Sequence, residues 1–71
     1  MRVTIDTVAN ALYVYVREGK YRLTETINEL NEPGGLVNVD RDADGNVLGI
    51  EFVPNTVIQI EDITGKRRPG T

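Results

Sequence analysis

The sequence predicts a mainly β fold: a small antiparallel β-meander of about five or six strands, with one short C-terminal helix as an open alternative. Three observations predict it. Apolar and polar residues alternate with a period of two, which is the spacing of a strand covered on one side. Glycine, proline and Asp-Gly signals separate these runs at short intervals. Threonine, tyrosine and β-branched residues, which suit a pleated surface, are frequent within the runs.

The first two strands are predicted from residues 2–6 and 11–17, with a short loop at 7–10 between them. The second strand is apolar on both sides, which a domain of this size rarely covers with a layer of its own. We expect its tyrosine side to be covered by another subunit or by the C-terminal segment, so Tyr13 and Tyr15 are predicted oligomer-interface residues. The opposite side carries Leu12, Val14 and Val16.

A hairpin turn is predicted at Glu18-Gly19-Lys20, since Gly19 adopts positive φ at little cost. A third strand is predicted over residues 21–28, decaying into residues 29–31. Leucine and isoleucine at helical spacing in this stretch leave a helical turn open. Residues 32–35, Glu-Pro-Gly-Gly, end the element in either case.

The fourth and fifth strands are predicted over residues 36–40 and 46–53, joined by a tight hairpin with an Asp-Gly signature at Asp44-Gly45. Residues 55–64 fit either a sixth strand or a short helix. The β-branched run Val57-Ile58-Gln59-Ile60 favours the strand, because such side chains lose rotamer freedom in a helix.

The chain of 71 residues is enough for one domain, predicted at residues 1–65, with a basic, flexible tail at 66–71. With no cysteine, stabilisation by a disulfide is excluded, which leaves a metal or a partner. The net charge of −3 combines an acidic body with a basic tail, so we expect no nucleic acid contacts except through Lys66, Arg67 and Arg68. The longest apolar run is too short to span a membrane and no signal-peptide pattern is present, so we expect a cytoplasmic protein.

The residue types argue against common catalytic chemistries. The sequence contains no histidine, cysteine or serine, which removes the usual nucleophiles and the usual base of near-neutral pKa. We therefore expect no cofactor, no catalytic residue and no enzymatic activity. A small carboxylate-based enzyme is the second alternative; it requires an enclosed pocket holding at least two of Asp6, Glu25, Glu29 and Glu51.

Residues 40–51 satisfy the calcium-loop pattern D-x-[DN]-x-[DN]-G-x5-E position for position. A calcium-binding module using Asp40, Asp42, Asp44 and Glu51 is therefore the first alternative function. Such loops lie between two helices, whereas the flanks here alternate as strands. On paired strands Glu51 would lie too far from the hairpin tip to close the site, so we expect no specific metal site.

Three blocks of the sequence resemble a known family: residues 5–14, 35–40 and 44–51. Together they are similar to the small prokaryotic family called domain of unknown function 2283, over about residues 1–53. The resemblance implies a strand-rich domain with no assigned activity, occasionally found beside small toxin-like proteins. Asn10 stands where the family usually has aspartate. We expect Asp6 and Asn10 to hydrogen-bond the backbone of the loop between them.

From these observations we expect a non-enzymatic module that forms a homo-oligomer and acts by interaction or regulation. A neutralising or scaffolding role towards another small protein is one form of that function. The double-sided second strand and the missing catalytic residue types carry the expectation, whereas the sequence names no partner.

Overall fold

The computed structural model describes residues 1–27 and 35–61. This part of the chain is all β and contains no helix, which confirms the predicted class. The five strands are β1 (Arg2–Asp6), β2 (Ala11–Tyr15), β3 (Leu23–Ile27), β4 (Leu36–Arg41) and β5 (Val47–Val53). Within these residues, no segment is helical, long and apolar enough to cross a membrane.

The strands form one open antiparallel sheet in the order β1-β2-β5-β4-β3. This order differs from a meander, because β2 pairs with β1 and β5 while β3 pairs only with β4. The hairpin turn predicted at Glu18-Gly19-Lys20 is therefore wrong: a tight turn joins neighbouring strands, and the second edge of β2 is occupied by β5. Residues 16–22 instead carry the chain across the end of the sheet to its far edge.

The hairpin at the aspartate-rich tip has the predicted strand-turn-strand form. Asp42 Oδ1 accepts hydrogen bonds from the backbone N–H groups of Asp44 and Asn46, both at 2.9 Å. Gly45 has φ 85°, a conformation that glycine adopts without steric cost. A register shift at Asp40/Arg41 marks a β-bulge in the strands that lead to this turn.

The segment after β5 is neither the sixth strand nor the helix predicted for it, as far as residue 61. Its backbone forms hydrogen bonds with the side chain of Asn10 and not with a neighbouring strand. The Asn10 amide donates to the carbonyls of Pro54 and Thr56 at 3.3 and 2.9 Å, and Asn10 Oδ1 accepts from the N–H of Ile58 at 3.0 Å. The remaining predicted residues of this segment, and the extension of β3 over residues 29–31, lie outside the described residues.

The two faces of the sheet differ in composition because side chains alternate along each strand. We call the first the apolar face; it carries Val3, Ile5, Leu12, Val14, Leu23, Ile27, Val37, Val39, Leu48, Ile50 and Phe52. The second, the tyrosine face, carries Tyr13 and Tyr15 among mostly polar side chains. Among the described residues only Val39 and Leu48 form a buried apolar core, at 7% and 8% exposure.

Candidate functional site

A row of aromatic and polar side chains crosses the tyrosine face from edge to edge. We call it the tyrosine band; its members are Arg2, Tyr15, Tyr13, Asp40, Thr24 and Tyr21. The Arg2 guanidinium lies 4.2 Å from the centre of the Tyr15 ring, in cation-π geometry. The rings of Tyr15 and Tyr13 are tilted by 54° with centroids 4.6 Å apart. Thus the band begins with contacts to aromatic rings and continues with hydrogen bonds.

Asp40 is the acceptor at the centre of the band. Its Oδ2 accepts from the Tyr13 hydroxyl at 2.5 Å, and its Oδ1 accepts from the Thr24 hydroxyl at 2.7 Å. Because Thr24 gives its hydrogen to Asp40, Tyr21 is the donor in the 2.9 Å bond between their hydroxyls. These bonds form one chain across the sheet. It runs from Tyr21, just before β3, through Thr24 on β3 and Asp40 on β4 to Tyr13 on β2.

Gly49 makes this connection possible, because the Tyr13 ring crosses β5 at that residue to reach β4. A Cβ atom built on Gly49 would overlap the Tyr13 hydroxyl and ring carbons. Glycine inside a strand is a signal for close approach by another group, and here the group is a tyrosine ring. Gly49 itself is buried.

Burial raises the pKa of the Tyr13 phenol from 10.0 to about 12, and the adjacent Asp40 adds to the shift by its hydrogen bond and negative charge. Both causes disfavour the phenolate. Tyr13 therefore stays protonated near neutral pH, as the donor to Asp40.

A second, shorter row lies beside the band on the same face. The Asn38 amide donates to Glu51 Oε1 at 2.9 Å, and the Thr26 hydroxyl donates to Asn38 Oδ1 at 2.7 Å. Here, as in the band, polar groups of neighbouring strands satisfy one another. The sequence-based interpretation placed Tyr13 and Tyr15 on this face but missed these pairings. Alternating Thr24 and Thr26 opposite Asp40 and Asn38, and Gly49 within a strand, were the signals that could have found them.

The apolar face lacks comparable partners, and the side chains at its two edges are open to solvent. Val3 on β1 is 53% exposed, and Leu23 and Ile27 on β3 are 48% and 38% exposed. The loop after β2 reaches one corner, where a Cβ atom on Gly19 would overlap Leu48. This coverage explains why Leu48 is buried at the end of the sheet.

One ion pair lies at the rim of the apolar face. Arg41 Nη2 is 3.2 Å from Glu25 Oε1, and Glu25 is paired in register with Val39. The same guanidinium donates through Nη1 to the carbonyl of Gly45 at 2.9 Å. The charged pair is thus held at the edge of the face formed by β3 and β4. The side chains at the centre of the face are aliphatic and aromatic.

The structure does not bring the calcium-pattern residues together. Asp40 belongs to the tyrosine band. Glu51 is bonded to Asn38, which lies two residues before Asp40 on β4. Asp42 is used by its own turn: the Asn46 side chain bonded to it lowers its pKa, and the backbone N–H groups of Asn46 and Asp44 act in the same direction. In residues 1–27 and 35–61, no three acidic, histidine or cysteine side chains form a group suited to a metal ion.

The carboxylates of the enzyme alternative are likewise separated. Glu25 projects from the apolar face and Glu51 from the tyrosine face, so the sheet lies between them. Asp6 Oδ1 accepts from the N–H groups of Val8 and Ala9 at 2.9 and 3.0 Å, as expected for a loop-bracing aspartate. Glu29 lies outside the described residues. Asn10, at φ 52°, braces residues 54–58 and not its own loop.

Two open depressions lie near the edges of the sheet. One, of about 330 Å³, is lined by Lys20, Tyr21, Arg22, Asp42, Ala43 and Asp44. The other, of about 350 Å³, is lined by Met1, Arg2, Tyr15 and Glu18. Neither contains any of the carboxylates of the enzyme alternative, and both are lined by charges of both signs.

Comparison with known proteins identifies a family for most of the chain. Residues 2–53 match the family model described as "Protein of unknown function (DUF2283)". This range covers all five strands of the sheet. No curated protein and no solved structure matches the chain.

Proposed function

The chain belongs to the DUF2283 family, and from that premise we propose that it is a non-enzymatic interaction module that assembles through the apolar face of its sheet. The observation that carries the proposal is the contrast in burial. Eleven apolar side chains share this face, yet only two of them are buried. A contiguous apolar surface of this kind is typical of an interaction site.

Size supports the same proposal. A chain of 71 residues without cysteine has neither a large core nor a disulfide to stabilise it. Each buried apolar side chain contributes roughly 1.5–3 kcal/mol relative to exposure. Covering the apolar face with another protein would supply the stabilisation that a single-layer sheet lacks.

The tyrosine face is the weaker choice of interface, although Tyr13 and Tyr15 were the residues expected there. The Tyr13 hydroxyl and Asp40 already satisfy each other within the chain. Covering this face would remove water from Arg2 and Glu51 without giving them new partners, which costs free energy. The predicted role of Tyr13 and Tyr15 in assembly stays a prediction, which Tyr15→Glu tests.

Sedimentation velocity at micromolar concentration, with two matched variants, tests the proposal. Val3→Glu places a charge at the edge of the apolar face, and Thr4→Glu places the same charge on the next residue of β1, on the tyrosine face. Both side chains are exposed in the protomer, so neither change should unfold the protomer by itself. We expect wild type and Thr4→Glu to sediment as an oligomer and Val3→Glu to dissociate.

A wild-type chain that sediments as a monomer and binds no hydrophobic dye would contradict the proposal. Tyr15→Glu completes the set: dissociation of this variant, with Val3→Glu still assembled, would move the interface to the tyrosine face. The regulatory or neutralising role towards another small protein stays a prediction. Co-purification with the product of an adjacent reading frame is the measurement that checks it.

A further inference from the structure

We infer that the apolar face is covered by a second copy of this chain, with two sheets stacked face to face and the tyrosine bands on the outside. This inference rests on the proposed function and deepens it by naming the occupant and the geometry. The result is a two-layer β-sandwich in which neither layer has a complete core by itself. Packed sheets of this kind lie about 10 Å apart.

The distribution of charge on the apolar face suits a two-fold partner. Its centre, on β2, β5 and β4, carries Leu12, Val14, Ile50, Phe52 and Val39 and no charged side chain. The pair of Glu25 and Arg41 lies at the rim, already neutralised within the protomer. An apolar centre with a polar rim is the arrangement found in stable interfaces, and it is complementary to itself.

The dimensions of the face are compatible with a dimer. Five strands about 4.8 Å apart, each about five residues long, give a face of about 24 by 17 Å. Two such faces present about 800 Å² in projection, and interdigitated side chains bury more accessible area than the projection. The accessible area buried between the two faces therefore approaches the lower limit for stable interfaces, which is about 1,200 Å².

Joining two copies through their β3 edges is disfavoured by the sequence of β3. An antiparallel pair of β3 strands related by a two-fold axis at its middle residue puts Glu25 directly opposite its own copy. Like charges facing each other across a pair of strands are destabilising. This register would also leave the whole apolar face uncovered, because the extended sheet would still have one layer.

A second copy is also a cover that is present wherever the chain is made. Among the described residues only Val39 and Leu48 are buried apolar side chains, so burying more of the apolar face would stabilise the fold. Association and folding stability are therefore linked.

Crosslinking of single-cysteine variants of the full chain tests the inference, because the sequence contains no cysteine of its own. Ile50 and Glu51 are adjacent residues of the central strand β5 and project from opposite faces. In a sandwich, Ile50→Cys places two thiols within reach of a bismaleimide that spans about the 10 Å between packed sheets. Glu51→Cys places its two thiols on the outer surfaces. Val14→Cys, opposite Ile50 on β2, is a near-isosteric second probe if Ile50→Cys does not fold.

We expect Ile50→Cys or Val14→Cys to shift to twice the chain mass on a denaturing gel while Glu51→Cys does not. Crosslinking must persist on dilution to low micromolar concentration and disappear in urea, which excludes random collision. An oligomer in which only Glu51→Cys crosslinks would overturn the inference and leave the proposed function standing. An oligomer in which no variant crosslinks would likewise overturn the inference and leave the proposed function standing. A chain that sediments as a monomer overturns both.

Discussion

The tyrosine face and the apolar face belong to the same backbone but complete their contacts in different ways. On the tyrosine face, side chains of neighbouring strands bond to one another, from Thr24 through Asp40 to Tyr13. On the apolar face, the large side chains of the edge strands are left open, with Val3 and Leu23 about half exposed. Hydrogen bonds are directional and can close within one layer of a sheet, whereas apolar side chains need a second layer. The difference teaches that one face of a single sheet can satisfy its side chains within the protomer while the other leaves apolar side chains exposed.

Gly49→Ala should lower the free energy of unfolding more than the other substitutions, and it changes contacts on the tyrosine face only. The added methyl group overlaps the Tyr13 ring, so the ring must move and its bond to Asp40 must break. We expect a loss of about 3 kcal/mol in the free energy of unfolding, from overpacking together with the unpaired polar groups. Urea denaturation measures it. In a Tyr13→Ala background the same change should cost far less; an equal cost in both backgrounds would show that the ring is not the obstacle.

Tyr13→Phe removes one hydroxyl and keeps the ring. Asp40 then loses a donor, and we expect a loss of about 1.5 kcal/mol, as is typical for a hydrogen bond to a charged group. Tyr21→Phe is the matched control, because its hydroxyl bonds to the neutral Thr24 and is exposed; its loss should be smaller than that of Tyr13→Phe. Equal losses in the two variants would mean that the bond to Asp40 has no special weight.

Alkaline pH should lower the free energy of unfolding by weakening the hydrogen bond between Tyr13 and Asp40. The pKa of Tyr13 is raised by folding from 10.0 to about 12, so the protonated phenol stabilises the fold fully below pH 10. That stabilisation is lost as the pH rises from about 10 to about 12. Urea denaturation at a series of pH values should show the decline, together with a late-titrating phenol in ultraviolet absorbance. Tyr13→Phe should remove this part of the decline; an unchanged pH profile in that variant would contradict the assignment.

Glu25→Gln should have the smallest effect, because it changes only the rim of the apolar face. Its partner Arg41 is 34% exposed and Glu25 is 53% exposed, and surface ion pairs contribute about 0–1 kcal/mol. We expect a change in unfolding free energy of at most about 0.5 kcal/mol and no change in sedimentation. Dissociation of the oligomer by this substitution would place the ion pair inside the interface and not at its rim.

The sequence predicted the strands well where both alternation and turn chemistry were local. β1 was predicted with its observed bounds, and the Asp42 turn was expected from its Asp-Gly signature. The strand order was not predictable in the same way, because pairing of β5 between β2 and β4 joins residues far apart in sequence. The role of Asn10 was missed for the same reason: its partners are 44 to 48 residues away.

The calcium pattern shows the limit of reading ligands from spacing alone. Residues 40–51 carry every residue type of that pattern, yet the carboxylates of Asp40, Asp42 and Glu51 each bond to different partners. In a strand, successive side chains point to opposite faces, and residues far along a hairpin cannot converge on its tip. The alternation that predicted strands therefore also explains why these side chains lie apart.

By itself the sequence determined the class of fold, the double-sided second strand and the absence of the usual catalytic residue types, since these depend on residue type and local period. Only the tertiary structure decided which face is closed by hydrogen bonds and which is left apolar and open. It did so because pairing of β2 with β5, and of β5 with β4, sets Tyr13 across Gly49 from Asp40. Register between distant strands is a property of the whole sheet, and no local pattern contains it.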